Sequence, residues 1–300
     1  MPRPVVAGLD GTRASFAAAD WAAREALHRE LPMTLVHAWS WEPVDPPVTP
    51  DEETQREAAR RMLHEAAAGL KERYPDLDLT VEQPPAPAVA ALLERSEHAE
   101  MTVLGTRGHT GLLGFLLGSV GLQVLGRAAG PVVMVRAAED ESDRPERRVR
   151  DEVVAGLHQL TASGEPVFAF AFAHAAAHGM RLRAVRAWSL PTVFNYSPAA
   201  MKLADESGGI EAHEKKMLHD ALKPWRERYP QVEVVEHVEI GAAAEVLLTA
   251  SARAGLMVVG RRETPGRGRR ETSGRSRHLG PVAHATLHHA DCPVAVVAHD

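Results

Sequence analysis

The chain has 300 residues, of which 45% are hydrophobic and 25% charged, a composition typical of soluble globular proteins. Its net charge of −6 gives no general attraction to nucleic acid, and no apolar run approaches the roughly 20 residues that span a bilayer. The single cysteine excludes an internal disulfide framework and the N-terminus lacks a signal-peptide layout, so we expect a cytoplasmic protein without membrane or nucleic-acid partners.

Apolar runs alternate with helical patterns along the first half of the chain. Strands are predicted at 5–9, 34–38, 79–81, 101–104 and 132–135, and helices at 15–29, 50–73, 86–98 and 119–128. The second helix has a clear start, because Thr49 can cap it, Pro50 takes its first position and Glu52 can complete a capping box. The strands are short and apolar on both faces, which is typical of a parallel sheet covered by helices.

The second half of the chain repeats the first at an offset of about 148 to 155 residues. The sequence VVAGL occurs at 5–9 and at 153–157, and ERYP occurs at 72–75 and at 227–230. Between the copies, nine of the twelve residues from 139 to 150 are charged, which predicts a solvated linker. We therefore predict two tandem domains, 1–138 and 151–300, joined by a charged linker at 139–150.

Strand–helix alternation of this kind predicts an α/β domain with a doubly wound parallel sheet flanked by helices. In such sheets a ligand lies at the carboxyl ends of the strands, where the strand order reverses. The residues that follow the first and fourth strands are therefore the first candidates for a binding site.

The loop after the fourth strand has the composition of a phosphate-binding loop. It reads Gly105-x-x-Gly108, then nine residues, then Gly118-Ser119 at the start of a helical pattern. Glycines let the backbone approach a ligand closely, and free N–H groups at a helix start attract anions. Asp10, after the first strand, either accepts hydrogen bonds from a ribose or base, or serves a turn and helix cap, and both interpretations stay open.

With these motifs the chain resembles a tandem universal stress protein. Nucleotide-binding members of that family carry G-x2-G-x9-G-(S/T) after the fourth strand, and the glycine loop described above matches that spacing without a gap. The resemblance implies two five-stranded domains of the adenine-nucleotide-binding type with strand order 3-2-1-4-5, and ATP as the ligand, with or without Mg²⁺. It also implies dimer-like pairing through the final strands, either between the two halves of one chain or in a homo-oligomer.

The resemblance further implies a set of cofactor-binding residues in the first domain, in which Ala38 contacts the adenine. This set comprises Asp10, Gly11, Ala38, Gly105, Arg107, Gly108, Gly118, Ser119 and Val120.

The second copy departs from the pattern where phosphates would bind. His158 stands in the place of Asp10, Glu263 falls on the second glycine, and Pro281 replaces Ser119. The proline removes a hydroxyl and an N–H donor, and the glutamate would repel a triphosphate. We expect the second domain to bind ATP weakly or not at all, with His158 in a structural role.

Two further clusters in the second copy favour plain structural interpretations. The arginine-rich loop at 264–279 lacks the aromatic residues that single-strand binders use for stacking, so a solvated loop is preferred to a site for RNA or an acidic partner. His284 and His288 would share a helix face, but they and Cys292 align with an ordinary helix and final strand of the first copy. We expect no metal site there.

ATP binding is not expected to serve catalysis in this chain. The sequence has neither a P-loop nor a kinase catalytic loop, and Arg107 is the only fixed positive charge of the 105–120 loop. We predict a regulatory stress-response module without catalytic residues. The alternatives are a dimer-like scaffold of the same family that binds no nucleotide, and an adenylating enzyme, whose Ser-Gly-Gly-x-Asp-Ser loop residues 10–15 do not match.

Overall fold

The computed structural model describes residues 2–40, 52–106, 118–137, 150–189, 209–262 and 279–299. The chain separates into two units, Met1–Arg144 and Pro145–Asp300, in agreement with the two tandem domains. The predicted linker at 139–150 lies outside the described residues apart from Arg150, so its limits and the domain limits built on it stay predictions.

The first unit alternates strands and helices in the predicted sequence. Its elements are β1 (Val5–Gly8), α1 (Arg13–His28), β2 (Met33–Val36), α2 (Glu52–Arg73), β3 (Leu79–Glu82), α3 (Ala88–Ser96), β4 (Met101–Thr106), α4 (Ser119–Arg127) and β5 (Val132–Arg136). All neighbouring strands pair in parallel, in the order β3-β2-β1-β4-β5. This order confirms the predicted doubly wound sheet, in which the connections reverse direction between β1 and β4.

Apolar strands and a row of small residues explain how the first unit packs. All four residues of β2 are buried, as are three of the four in β1. Helix α1 lies on β1 and β4 through alanines at helical spacing, of which Ala18, Ala22 and Ala26 have no solvent exposure. Small side chains on this face let the helix approach the sheet closely, which matters for the site described below.

The second unit repeats the same topology with different side chains. Its elements are β6 (Glu152–Gly156), α5 (Glu165–His178), β7 (Arg181–Trp188), α6 (Ile210–Arg228), β8 (Val234–Ile240), α7 (Ala243–Ala250), β9 (Ala254–Arg262), α8 (Pro281–His289) and β10 (Val294–His299), with short 3₁₀ turns at Ala162–Gly164 and Ser251–Arg253. The parallel order β8-β7-β6-β9-β10 is again 3-2-1-4-5 when the strands are counted within the unit.

The first helix of the second unit packs through aromatic rings where α1 uses alanines. Phe168 and Phe172 of α5 stack on Trp225 of α6, with ring centroids 6.0 and 5.8 Å apart. Phe172 also stacks on Tyr229 at 5.7 Å. Offset stacked rings contribute about 0.5–1.5 kcal/mol per pair beyond the area that they bury. The second unit therefore keeps the order of helices and strands of the first unit, while aromatic rings form the contacts between its first two helices.

The structure corrects the prediction at two places and leaves a third untested. Helix α1 begins at Arg13, two residues before the predicted start, because Thr12 caps it by accepting the N–H of Ser15 at 3.2 Å. Strand β3 is half-exposed and not covered on both faces, since it lies at the margin of the sheet. The proposed capping residues Thr49 and Pro50 of α2 lie outside the described residues.

Among the described residues, no helix combines the length and the apolar character that a bilayer crossing requires.

A buried carboxylate joins the first two strands of the second unit. Glu152 is 1% exposed, and its two oxygens accept hydrogen bonds from Nε and Nη2 of Arg183 at 2.9 and 3.0 Å. Arg181 lies 2.9 Å from the same carboxylate. The hydrogen bond from Arg183, together with the charges of Arg183 and Arg181, outweighs burial and lowers the pKa of Glu152.

This cluster predicts a pH-dependent contribution to stability. Replacing the carboxylate in Glu152→Gln is expected to lower the free energy of unfolding of the second unit by about 2 kcal/mol at pH 7, because charged hydrogen bonds are lost. A lowered folded-state pKa stabilises the fold above the unfolded value of about 4.3, and this contribution disappears as the pH falls through the folded-state pKa. The difference between wild type and variant should therefore shrink below about pH 4.

The measurement is urea unfolding between pH 7 and pH 3, followed through the second unit by peptide-resolved hydrogen exchange. Glu211→Gln is the matched control, because Glu211 pairs with Lys215 on exposed α6 and surface pairs contribute little. A difference for Glu152→Gln that stays constant over the whole pH range would contradict the assignment.

Candidate functional site

A cavity of about 240 Å³ opens in the first unit at the carboxyl ends of β1, β2 and β4 and at the start of α4. This is the position that the strand-order reversal between β1 and β4 predicts for a ligand. Six residues of the predicted set line it, although they come from three separate parts of the chain: Asp10, Ala38, Gly105, Gly118, Ser119 and Val120. Apolar walls are added by Val36, Leu92 and Leu104.

The other three predicted residues are placed differently. Gly11 does not line the cavity but follows Asp10 in the turn, where its φ of +80° suits a residue without a side chain. Arg107 and Gly108 lie outside the described residues.

Asp10 holds the turn at the rim of the cavity. Its Oδ1 accepts hydrogen bonds from the Thr12 N–H at 3.0 Å and the Thr12 hydroxyl at 2.6 Å. Thr12 in turn caps α1 through Ser15, whose own hydroxyl donates to the Thr12 carbonyl at 2.9 Å. One carboxylate oxygen of Asp10 thus serves the turn, as the turn interpretation predicts. The exposed carboxylate also lines the cavity. A ligand role for Asp10 stays a prediction.

His37 is a cavity residue that sequence reasoning missed. It follows β2, and its Nδ1 lies 2.8 Å from the carbonyl oxygen of Leu9 in the loop that leaves β1. Because a carbonyl only accepts, Nδ1 carries the proton in this contact. The repeat could have drawn attention to this position, because a second side chain with N–H donors, Arg186, occupies it in the second copy. In the structure Arg186 donates to the carbonyl of His158 at 2.5 Å.

Helix α4 begins at the cavity without a side-chain cap. Gly118 is its N-cap residue and makes no side-chain hydrogen bond, and the first helical bond runs from the Leu122 N–H to the Gly118 carbonyl at 3.0 Å. The N–H groups of Ser119, Val120 and Gly121 consequently have no partner within the helix. Together with the exposed hydroxyl of Ser119, they can receive an anion at the positive end of the helix dipole.

The two described motif glycines differ in what surrounds them. A Cβ at Gly105 would lie 2.4–2.6 Å from the backbone of Ala14 and Ser15, so this glycine permits the close approach of α1 to β4. None of the described residues lies within 4 Å of a Cβ placed at Gly118. Gly105 therefore serves the fold directly, whereas Gly118 leaves open space at the start of α4.

The second unit keeps a cavity at the equivalent place, and it is larger, at about 370 Å³. His158 lines it where Asp10 lines the first cavity, and Pro281 and Gly280 form the helix start. Burial, followed by the positive charges of Arg186 and Arg262, lowers the pKa of His158. His158 thus belongs to the turn through its carbonyl, in line with the structural role expected for it, but its imidazole faces an open cavity.

The histidine cluster of α8 does not gather into a larger group within its unit. The rings of His284 and His288 lie with centroids 4.4 Å apart on adjacent turns. Taken unit by unit, the described residues bring no third histidine, cysteine, aspartate or glutamate ligand atom to this pair. The expectation that the chain holds no metal here stays a prediction.

The fold and the two cavities define a tandem α/β protein, in which each domain is a doubly wound parallel sheet with a cavity at the carboxyl ends of its strands. The family model described as the universal stress protein family matches residues 1–136 and again 152–298. The chain belongs to this family and carries two of its domains in tandem.

Relatives and a solved structure cover almost the whole chain. Universal stress proteins Rv2005c and Rv1996 of Mycobacterium tuberculosis are 33% and 30% identical to it over 97% of its length, and over 96% and 94% of their own. The crystal structure of a universal stress protein from Archaeoglobus fulgidus superposes with a TM-score of 0.68 at 16% identity, covering 99% of this chain and 98% of that one. At that identity the superposition supports the fold.

The contrast between the two motif glycines predicts effects on stability of different size. Gly105→Ala should destabilise the first unit by about 1–3 kcal/mol, because the methyl group forces β4 away from the backbone of α1. Gly118→Ala should change stability by less than about 0.5 kcal/mol, because its Cβ enters open space.

Thermal unfolding of the two variants and the wild type tests this pair. Equal destabilisation by both substitutions would show that the space at Gly118 is not free in solution. An unchanged midpoint for Gly105→Ala would show that α1 does not contact β4 as described.

Proposed function

We propose that this universal stress protein is a regulatory, stress-response module that binds ATP in its first domain. The observation that carries the proposal is the convergence of Asp10, Ala38, Gly105 and the Gly118–Val120 helix start on one cavity. These residues are separated by up to 110 positions in the sequence, and the topology alone brings them together.

Each group has a chemical role in the proposed site. The exposed carboxylate of Asp10 accepts hydrogen bonds from the ribose, and the apolar surface around Ala38 receives the adenine. The unsatisfied N–H groups and the hydroxyl at the start of α4 bind phosphate oxygens. Arg107 and Gly108, which belong to the same loop motif, complete the proposed phosphate-binding residues, and a bound Mg²⁺ is compatible with a triphosphate ligand.

The site is proposed to hold ATP without turning it over. Phosphoryl transfer needs cations placed on the transferring oxygens. Among the described residues that line the first cavity there is no lysine or arginine, and the sequence contains no P-loop lysine. We therefore propose a binding protein with no catalytic residues, in which any hydrolysis is slow and incidental.

The second domain is proposed not to bind ATP. His158 cannot replace the carboxylate of Asp10 as a hydrogen-bond acceptor for two hydroxyl groups, and Pro281 supplies neither a hydroxyl nor an N–H. The remaining predictions belong to the same proposal: domain limits at 138 and 151, a cytoplasmic location, pairing through the final strands, and no nucleic-acid or membrane partner.

Nucleotide content and calorimetric stoichiometry test the one-site proposal. Denatured, freshly purified protein is analysed for adenine nucleotides by mass spectrometry, and ATP is titrated into nucleotide-free protein. We expect one ATP per chain. In Gly118→Ala the affinity for ATP should fall by about tenfold or more, because the added methyl group enters the space that the phosphates need while the fold is unchanged.

Gly280→Ala is the matched control. Gly280 is the N-cap residue of α8, and a Cβ there also meets none of the described residues within 4 Å, so the substitution is expected to alter the second helix start alone. Gly260 is a poorer control, because a Cβ there would lie 2.7 Å from the His299 ring.

Equal losses in Gly118→Ala and Gly280→Ala would overturn the one-site proposal. Absence of adenine nucleotide in both the extract and the titration would favour the scaffold alternative. Release of pyrophosphate with an acceptor would favour an adenylating enzyme.

A further inference from the structure

The second cavity has apolar walls and a concentration of positive charge at its rim. Val167, Val185, Leu247 and Val259 line its interior, and each of them is buried. The described residues that line it include His158, Arg262 and His299 but no aspartate or glutamate. The charge at this place is therefore opposite in sign to that of Asp10 in the first cavity.

The cations differ in how far they are neutralised. Arg186 stands beside the cavity, but its Nε donates to Glu214 at 2.8 Å, so its charge is paired. Arg262 is exposed at the end of β9, and no carboxylate among the described residues lies within ion-pair distance of it. After burial, the positive charges of Arg186 and Arg262 are the main causes that lower the pKa of His158, because both guanidinium groups lie near its imidazole.

His299 is specific to this copy and is seated in the wall. Its counterpart after β5, counted from the matching prolines Pro131 and Pro293, is Ala137. The imidazole lies over Gly260, where a Cβ would come within 2.7 Å of Cδ2 and Nε2. The ring thus occupies the surface of β9 beside Arg262, and both side chains present N–H groups at the same end of the cavity.

We propose that the second cavity is a binding site for a small monocarboxylate with an apolar body, such as a medium-chain or single-ring carboxylic acid. Its carboxylate lies at the end formed by His158, Arg262 and His299, and its hydrocarbon part lies against the apolar walls. The site is independent of the ATP proposed for the first domain.

Charge and volume select this class of ligand over others. A carboxylate accepts charge-assisted hydrogen bonds from Arg262, for which the described residues supply no carboxylate partner, whereas a neutral apolar molecule gains no such bonds. A nucleotide brings ribose hydroxyls, for which the described lining offers no carboxylate. The volume of about 370 Å³ lies within the range of small-molecule cavities, about 300–1,000 Å³, which are mostly apolar with a few placed polar groups.

Calorimetric titration of the full chain with octanoate and with 1-octanol tests the proposal. The two probes share an alkyl chain and differ in charge, so we expect octanoate to bind about tenfold more tightly or better. Arg262→Gln should weaken octanoate about tenfold and leave 1-octanol unchanged. Lys215→Gln, which removes a charge from an exposed position of α6, is the matched control and should change neither.

A second variant locates the site. Ala187→Leu adds bulk to a residue that lines the cavity, and it should weaken octanoate and 1-octanol together while circular dichroism and the unfolding midpoint report an intact fold. ATP binding to the first domain should be unaffected by this variant.

Four outcomes overturn the proposal. They are equal affinity for the two probes, no binding of octanoate to the wild type, octanoate binding that survives both Arg262→Gln and Ala187→Leu in folded protein, and competition between ATP and octanoate for one site. The last result would place both ligands in the same cavity, whereas loss of ATP binding alone would leave the carboxylate proposal standing.

Discussion

Both cavities depend on how the chain is held where it leaves the first strand of each sheet. In the first unit His37 binds the carbonyl of Leu9, and in the second Arg186 binds the carbonyl of His158. Beyond the last ladder position a loop carbonyl has no strand partner, and a polar backbone group at a cavity wall is costly when unsatisfied. In both copies a side chain at or near the end of the second strand donates a hydrogen bond to this carbonyl. In each unit the cavity is lined by residues of this loop and of the fourth strand.

The fold followed from the sequence because its signals are local or repeated. Apolar runs such as β1 and β2, helical spacing and the duplicated segments predict two doubly wound domains, and the edge of the sheet at which a ligand would lie, without knowledge of any contact. The strand order 3-2-1-4-5 was implied by the resemblance to the universal stress protein family. The role of His37 could not be predicted in this way, since it depends on the register between β1 and β2 and on the path of a loop 28 residues away. The open second cavity was missed for a different reason. A count of lost phosphate ligands, such as the hydroxyl that is absent at Pro281, shows what a site can no longer bind. It gives no information about the volume of the cavity that remains.

The two domains show which parts of a binding site are constrained by the sheet and which are free to change. Leu92 and Leu247 occupy matching positions in the repeat and line the two cavities. Around these shared walls, the residue after the first strand changes from the carboxylate of Asp10 to the imidazole of His158, and Arg262 adds a positive charge to the second cavity. Walls belong to the hydrophobic core and are held by packing, which penalises changes in volume. Rim residues carry no such penalty, so the charge of the cavity can reverse while the fold is retained.

Gly105 bears on how sites of this kind are recognised in sequences. Its hydrogen replaces a methyl group that would meet the backbone of α1, and Gly260, its counterpart, gives room to the ring of His299 and to Val167. The first glycine of the loop motif is thus required by packing in both domains, for different neighbours. Selection for a stable domain will maintain a glycine there long after a phosphate has ceased to bind. In this chain the presence of that glycine therefore does not by itself indicate a phosphate site. The motif residues that differ between the two domains are those after the first strand, at the second motif glycine and at the helix start.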